Sequence, residues 1–115
     1  MSNTVSIQKM KKRDGRIVEF DPQRIAIAAG KALKAAGMGS DKVARHIADD
    51  VVRELVDKGY DDELQIPDVE VIQDLVEHAF VKRGLSQAAK LYILYRASHT
   101  KIREAKKLMM DVQEL

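Results

Sequence analysis

Lys9, Lys11, Lys12 and Arg13 lie within five residues, and Glu19, Asp21 and Arg24 follow at once in the stretch KMKKRDGRIVEFDPQRI. Chemically this suits an anion receptor with an acidic edge. Lys and Arg donors converging from two segments neutralise a triphosphate, which presents roughly four negative charges and many acceptor oxygens. A neighbouring carboxylate, Glu19 or Asp21, accepts a bond from an adenine amino group or a ribose hydroxyl and so selects a nucleoside over a bare phosphate. The same basic run also suits a solvated edge that keeps a small sheet from pairing with another chain, which is the commoner use of lysine there. Neither familiar Gly-rich phosphate cradle is present, since the chain has no G-x-x-x-x-G-K-[ST] and no G-x-G-x-x-G.

No catalytic set emerges elsewhere. His46, His78 and His99 lack close metal-ligand spacing, and each reads as a surface or packing residue. The chain has no Cys, which excludes a disulfide framework and a thiolate metal site. A Ser–His–Asp arrangement needs a nucleophile on a constrained turn, and none stands out. Tyr92 and Tyr95 in KLYILYR fit core packing with hydroxyls at the rim.

With 115 residues, the chain fits one domain with a single core. No apolar run approaches the ~20 residues of a membrane span, and MSNTVSIQ lacks the apolar centre of a secretory signal, so the expected compartment is the cytoplasm. The net charge of +2 conceals a pattern of +5 over residues 1–40, −8 over 41–80 and +5 over 81–115. If the two ends meet, they make one anion-attracting surface backed by an acidic one. A compact anion such as a nucleotide suits this better than a duplex, which favours uniformly basic composition.

These side chains need elements to hold them. Val5 to Lys11 alternates as a short strand, Asp14-Gly15 signals a type I′ hairpin turn, and Arg16 to Phe20 reads as the return strand. Apolar residues fall on both faces of this ribbon, so its buried face stays open. Asp21-Pro22 starts a helix with Ile25, Ala28, Ala29, Ala32, Leu33 and Ala36 on one stripe, closed by Gly37 and Gly39. Ser40 caps a second helix carrying Val43, Ile47, Val51 and Leu55, ending near Gly59. A two-stranded ribbon alone is marginal, so Glu63 to Ile66 is expected as a third strand. Pro67 opens a third helix with Val69, Ile72, Leu75, Val76, Ala79 and Phe80 inward, closed by Gly84.

Ser86 caps a fourth helix, with Leu91, Tyr95, Ser98, Ile102, Ala105, Met109 and Val112 as its stripe. The fold class is therefore α+β, mainly helical: a four-helix bundle capped by a small three-stranded sheet. At ~26 residues, or ~39 Å, the fourth helix outruns the others. Its last third, IREAKKLMMDVQEL, should project with Ile102, Leu108, Met109, Val112 and Leu115 seeking a partner, as in a piece of a longer protein.

In order, KKRDGRIVEFDPQRI, VEVIQDLVEHAF and AAKLYILYR resemble the ATP-cone, the regulatory nucleotide-binding domain at the N-terminus of many ribonucleotide reductases. The resemblance covers residues 5–100, and its specificity lies in the combination of motifs. The segment REAKKLMMDVQEL resembles the connection to the catalytic barrel in anaerobic (class III) ribonucleoside-triphosphate reductases, which makes residues 101–115 the start of a helical linker.

What the resemblance implies is an allosteric domain without an active site. ATP bound to it leaves the parent enzyme reducing ribonucleotides to deoxyribonucleotides, and dATP shuts it down, with Mg2+ accompanying the phosphates. Partners implied are ATP and dATP, the parent's catalytic domain and a second copy through the cone. By the family pattern Lys12 and Arg13 lie at the phosphates, Lys11 joins them as a nucleotide-binding candidate, Arg24 fills the basic position after F-D, and Glu19 and Asp21 lie where the family meets base and sugar. Gln73 matches a helix position facing the nucleotide, and Arg96 of LYR is carried over with it. Arg24 stands where Lys is frequent, and Val69 where some members place a hydroxyl. Two other readings compete: a nucleic-acid-binding regulator, as in repressors that join this domain to a zinc ribbon, and a plain interaction bundle working through the last helix.

Overall fold

The computed structural model describes residues 7–113, with side chains through Met110. Val5, Leu115 and the Val112 side chain, which the sequence placed in a strand and on a stripe, lie outside the described residues. The order of elements is β1 (Lys9–Lys11), β2 (Ile17–Glu19), α1 (Pro22–Ala35), α2 (Asp41–Asp57), α3 (Val69–Lys82) and α4 (Ser86–Gln113). No described helix is long and apolar enough to cross a membrane.

The first two helix starts are where their capping chemistry predicts. Asp21 Oδ1 accepts from the Gln23 N–H at 2.9 Å, and Pro22 follows as the first helical residue. Ser40 Oγ accepts from the Val43 N–H at 3.2 Å. Helix α1 stops in a Schellman turn, with Gly37 at φ 76° and the Met38 N–H reaching back to the Leu33 carbonyl at 2.8 Å. The third helix departs from expectation: Asp68, not Pro67, sets its start. The Asp68 carboxylate accepts from the Val71 N–H at 3.0 Å, so the better cap places Pro67 one residue outside the helix.

The helices close a ring in which α1 packs on α2 and α4, and α3 packs on α2 and α4. Ile25, Ala29, Ala32 and Leu33 of α1 meet Ala44, Ile47, Val51 and Leu55 of α2 in the core, with Ile72, Leu75, Val76, Ala79 and Phe80 of α3. Alanine lets the first pair approach closely: a Cβ built on Gly30 would already touch Ala44 at 3.7 Å. Phe80 is fully buried and lies tilted against Tyr92, with ring centroids 6.0 Å apart. At the far end of the α2–α3 interface, Arg83 grips Asp50 with two bonds of 2.6 and 3.0 Å. That grip holds the Asp50 carboxyl below its usual range.

Helix α4 turns a different face inward than the Leu91–Tyr95–Ser98–Ile102 stripe. Its inner seam runs through Ala88, Ala89 and Tyr92, then half-buried Arg96 and Thr100. Five successive residues, Leu91 to Tyr95, are apolar or aromatic, so the pattern offers two seams and the small Ala88 and Ala89 decide between them by fitting the core. Every residue from Lys101 to Met110 is exposed.

Burial pushes the Tyr92 hydroxyl up to about 12, against a slight pull from Arg96. An acid whose pKa rises on folding gives stability that is complete below its unfolded value, near 10, and that disappears as pH climbs through the folded one. Stability should therefore fall by roughly 2 kcal/mol between pH 10 and 12. Urea denaturation across that range checks it. Tyr92→Phe should remove most of this slope.

The expected third strand does not form, and the sheet has two antiparallel strands in the register Lys9–Glu19, Met10–Val18 and Lys11–Ile17. Residues 62–65 turn instead: Asp62 Oδ1 captures the Leu64 N–H at 2.9 Å, and the Asp62 carbonyl accepts from the Gln65 N–H at 2.9 Å. A short acidic side chain that satisfies the backbone locally competes with a ladder. What remains of the third strand is one parallel bridge, Lys11 to Asp68, with the Lys11 N–H donating to the Pro67 carbonyl at 2.9 Å. That bond seats the hairpin beside the start of α3. Met10 and Val18 face inward, while Lys9, Lys11, Ile17 and Glu19 face out.

Candidate nucleotide-binding site

The hairpin loop is built differently from a type I′ turn. Lys12 donates to the Arg16 carbonyl at 2.8 Å and accepts from the Gly15 N–H at 2.9 Å, which closes a three-residue loop of Arg13, Asp14 and Gly15. Only Gly15 has positive φ, at 90°. This is the bulged three-residue hairpin, in which a single left-handed residue suffices and glycine supplies it. Asp14 stiffens the loop by accepting from the Arg16 backbone at 3.1 Å and its Nε at 2.7 Å.

The loop aims Arg13 at α3. Arg13 Nη1 pairs with Glu70 Oε1, and Nη2 donates to Gln73 Oε1 at 3.1 Å. The other oxygen of Glu70 accepts from Arg96 Nη2 of α4 at 2.6 Å, while Arg96 Nη1 donates to Asp74 at 2.8 Å and Glu77 at 2.9 Å. Burial alone would disfavour the Arg96 charge, but its three carboxylates outweigh that and raise its pKa above the ordinary arginine value. Arg96 therefore stays charged well beyond neutral pH.

Beside this network lies a cavity of about 220 Å³ lined by Lys12, Arg13, Asp14, Arg16, Val69 and Arg103. Four cations face one carboxylate, already engaged by Arg16. Lys12 has no carboxylate within ion-pair distance among the described residues, nor has Lys11 on the outer face of β1. The two basic chain ends thus meet, since Arg103 of α4 joins the hairpin's cations.

Of the residues expected from sequence, Arg13, Gln73 and Arg96 come together through Glu70, and Lys12 adjoins them. Glu19, Asp21 and Arg24 are exposed and make no hydrogen bond or ion pair with this network among the described residues. Asp21 spends one oxygen on its cap. Glu70 and Arg103 were missed. Both had a signal: acids at 70, 74 and 77 recur at helical spacing, and Arg103 lies two turns beyond Arg96 on the same side of α4.

A larger concavity, about 610 Å³, lies between α1 and the start of α2, lined by Gln23, Ile27, Lys31, Lys34, Ser40 and Arg45 among others. It is an open trough containing none of the expected residues. At the hairpin, by contrast, charged groups from three elements converge, which makes it the candidate site. Among the described residues no group of His, Asp or Glu is arranged to hold a metal ion.

Comparison with known proteins identifies the family. Residues 8–101 match the model of the ATP cone domain. The vitamin B12-dependent ribonucleoside-diphosphate reductase of Thermoplasma acidophilum is 39% identical over 108 residues, which cover 90% of this chain and 13% of that protein. A reductase of the same description from Mycobacterium tuberculosis is 33% identical over 107 residues, 93% of this chain and 14% of its own length. The ribonucleoside-diphosphate reductase subunit alpha of Chlamydia muridarum is 33% identical over 100 residues, 81% of this chain and 10% of its length. The chain thus spans about a tenth to a seventh of the relatives it matches. A match over most of its length, with the motif residues Arg13, Gln73 and Arg96 joined in one network, assigns the chain to the ATP cone family.

Proposed function

We propose that this chain binds ATP or dATP under its hairpin, as the effector-sensing part of a cytoplasmic ribonucleotide reductase. The observation that carries this is the cavity where Lys12, Arg13, Arg16 and Arg103 converge with a single carboxylate. Lys12 and Arg13 take the phosphates, with Lys11 and Mg2+ adding charge from the open side. Gln73 and the Glu19, Asp21 and Arg24 group at the entry of α1 flank the nucleoside. Arg96 acts through its carboxylates, as a positioning residue. Family membership supports effector control, ATP permitting and dATP arresting deoxyribonucleotide synthesis by the parent enzyme. Residues 101–115 then begin the helical connection to its catalytic domain, and a second cone is a candidate partner. Among reductase classes, the named relatives favour the B12-dependent or alpha-subunit kinds over the anaerobic one that the REAKKLMMDVQEL segment suggested.

Calorimetric titration tests the reading. ATP and dATP should each bind in the micromolar range, and Lys12→Ala with Arg13→Ala should weaken binding about a hundredfold, roughly tenfold for each charge-assisted contact. Absence of heat with both nucleotides would sink the proposal. A salt-dependent anisotropy change with duplex DNA, larger than the nucleotide response, would replace it with nucleic-acid binding.

A further inference from the structure

We propose that Glu70 is a built-in competitor for the ligand's phosphate: in the empty domain its carboxylate latches Arg13 against α3, and an incoming nucleotide must take Arg13 from it. The inference rests on the reading that the hairpin cations receive the phosphates, and adds how access to them is regulated.

Three observations carry it. First, Glu70 is held in place. Its Oε2 is fixed by Arg96 at 2.6 Å, and Arg96, only 16% exposed at its side chain, is itself fixed by Asp74 and Glu77, so Oε1 is presented to the hairpin by a rigid support. Second, Arg13 alone ties the loop tip. Among the described residues it makes the hairpin loop's only side-chain hydrogen bonds to a helix, to Glu70 and Gln73. Third, the latched site is too small. At about 220 Å³ its cavity falls below the 300 Å³ or more usual for small-molecule sites, so it encloses no more than part of a phosphate chain.

The pair is also weak enough to release. The side chains of Arg13 and Glu70 are 32% and 46% exposed, and ion pairs so open to water contribute little. A triphosphate brings several charges to the same guanidinium and to Lys12, and outbids one carboxylate. Once Arg13 has left, Arg96 remains bonded to Glu70, Asp74 and Glu77, so the support survives. The neutral amide of Gln73 follows either partner.

Glu70→Gln tests the latch while leaving Arg96 two carboxylates. In the protein without nucleotide, hydrogen exchange at the Lys11 amide, which bonds the Pro67 carbonyl, reports whether the hairpin lifts from α3. The latch predicts exchange about threefold to tenfold faster in Glu70→Gln, with the Val51 amide in the α2 core unchanged. Equal hairpin exchange in the two proteins would overturn the latch, whatever binds. In titrations with ATP, Glu70→Gln should bind about threefold to tenfold tighter, because both the competitor and its repulsion of phosphate are gone. Weaker binding would make Glu70 a ligand contact and overturn competition. If neither protein binds ATP or dATP, the nucleotide reading and the competition fall together, and the exchange result alone decides whether a latch exists.

Discussion

Phe80→Ala should destabilise the fold by about 3–5 kcal/mol, a large share of the roughly 5–15 kcal/mol available to a domain of this kind. Phe80 has no exposed surface, and it packs among Val76 and Ala79 of its own helix and the ring of Tyr92 on α4. The void left by its ring lies where α3 meets α4. Urea denaturation should show a much lower midpoint with a similar slope. Leu108→Ala, on the exposed stretch of α4, should stay within about 0.5 kcal/mol of the parent and serves as the control.

Arg96→Ala should cost about 3 kcal/mol by a different route. It leaves Glu70, Asp74 and Glu77 facing one another without their shared cation, and repulsion replaces three bonds of 2.6 to 2.9 Å. The carboxylates are partly exposed, which puts the effect at the low end of the range for broken buried pairs. Lysine should rescue little, since one ammonium lacks the planar fork that reaches all three. Arg96→Met should cost about as much as Arg96→Ala; recovery of most of the stability in Arg96→Met would instead mean that Arg96 works through packing of its aliphatic stem.

Local chemistry was legible in the sequence wherever a side chain bonds its own backbone neighbourhood. Asp21-Pro22 and Ser40 each satisfy free helix N–H groups within three residues, and the helices begin there. What was misread depended on competition. Glu63 to Ile66 has the look of a strand, but Asp62 takes the Leu64 N–H first. The hydrophobic run from Leu91 to Tyr95 offers two faces, and only the three other helices choose between them. The site followed the same division. Lys12, Arg13, Gln73 and Arg96 stand out because their positions match a family pattern, while nothing in the sequence marks Glu70 as facing Arg13 fifty-seven residues away.

Helix α4 is gripped at Arg96 and then runs uncovered from Lys101 to Met110. Fourteen residues separate Arg96 from Met110, a reach of about 21 Å at 1.5 Å per residue. In mechanical terms it is a pointer pivoted at its ion pairs. A tilt of about 5° at the pivot, too slight to break a hydrogen bond, moves Met110 sideways by about 2 Å over that length.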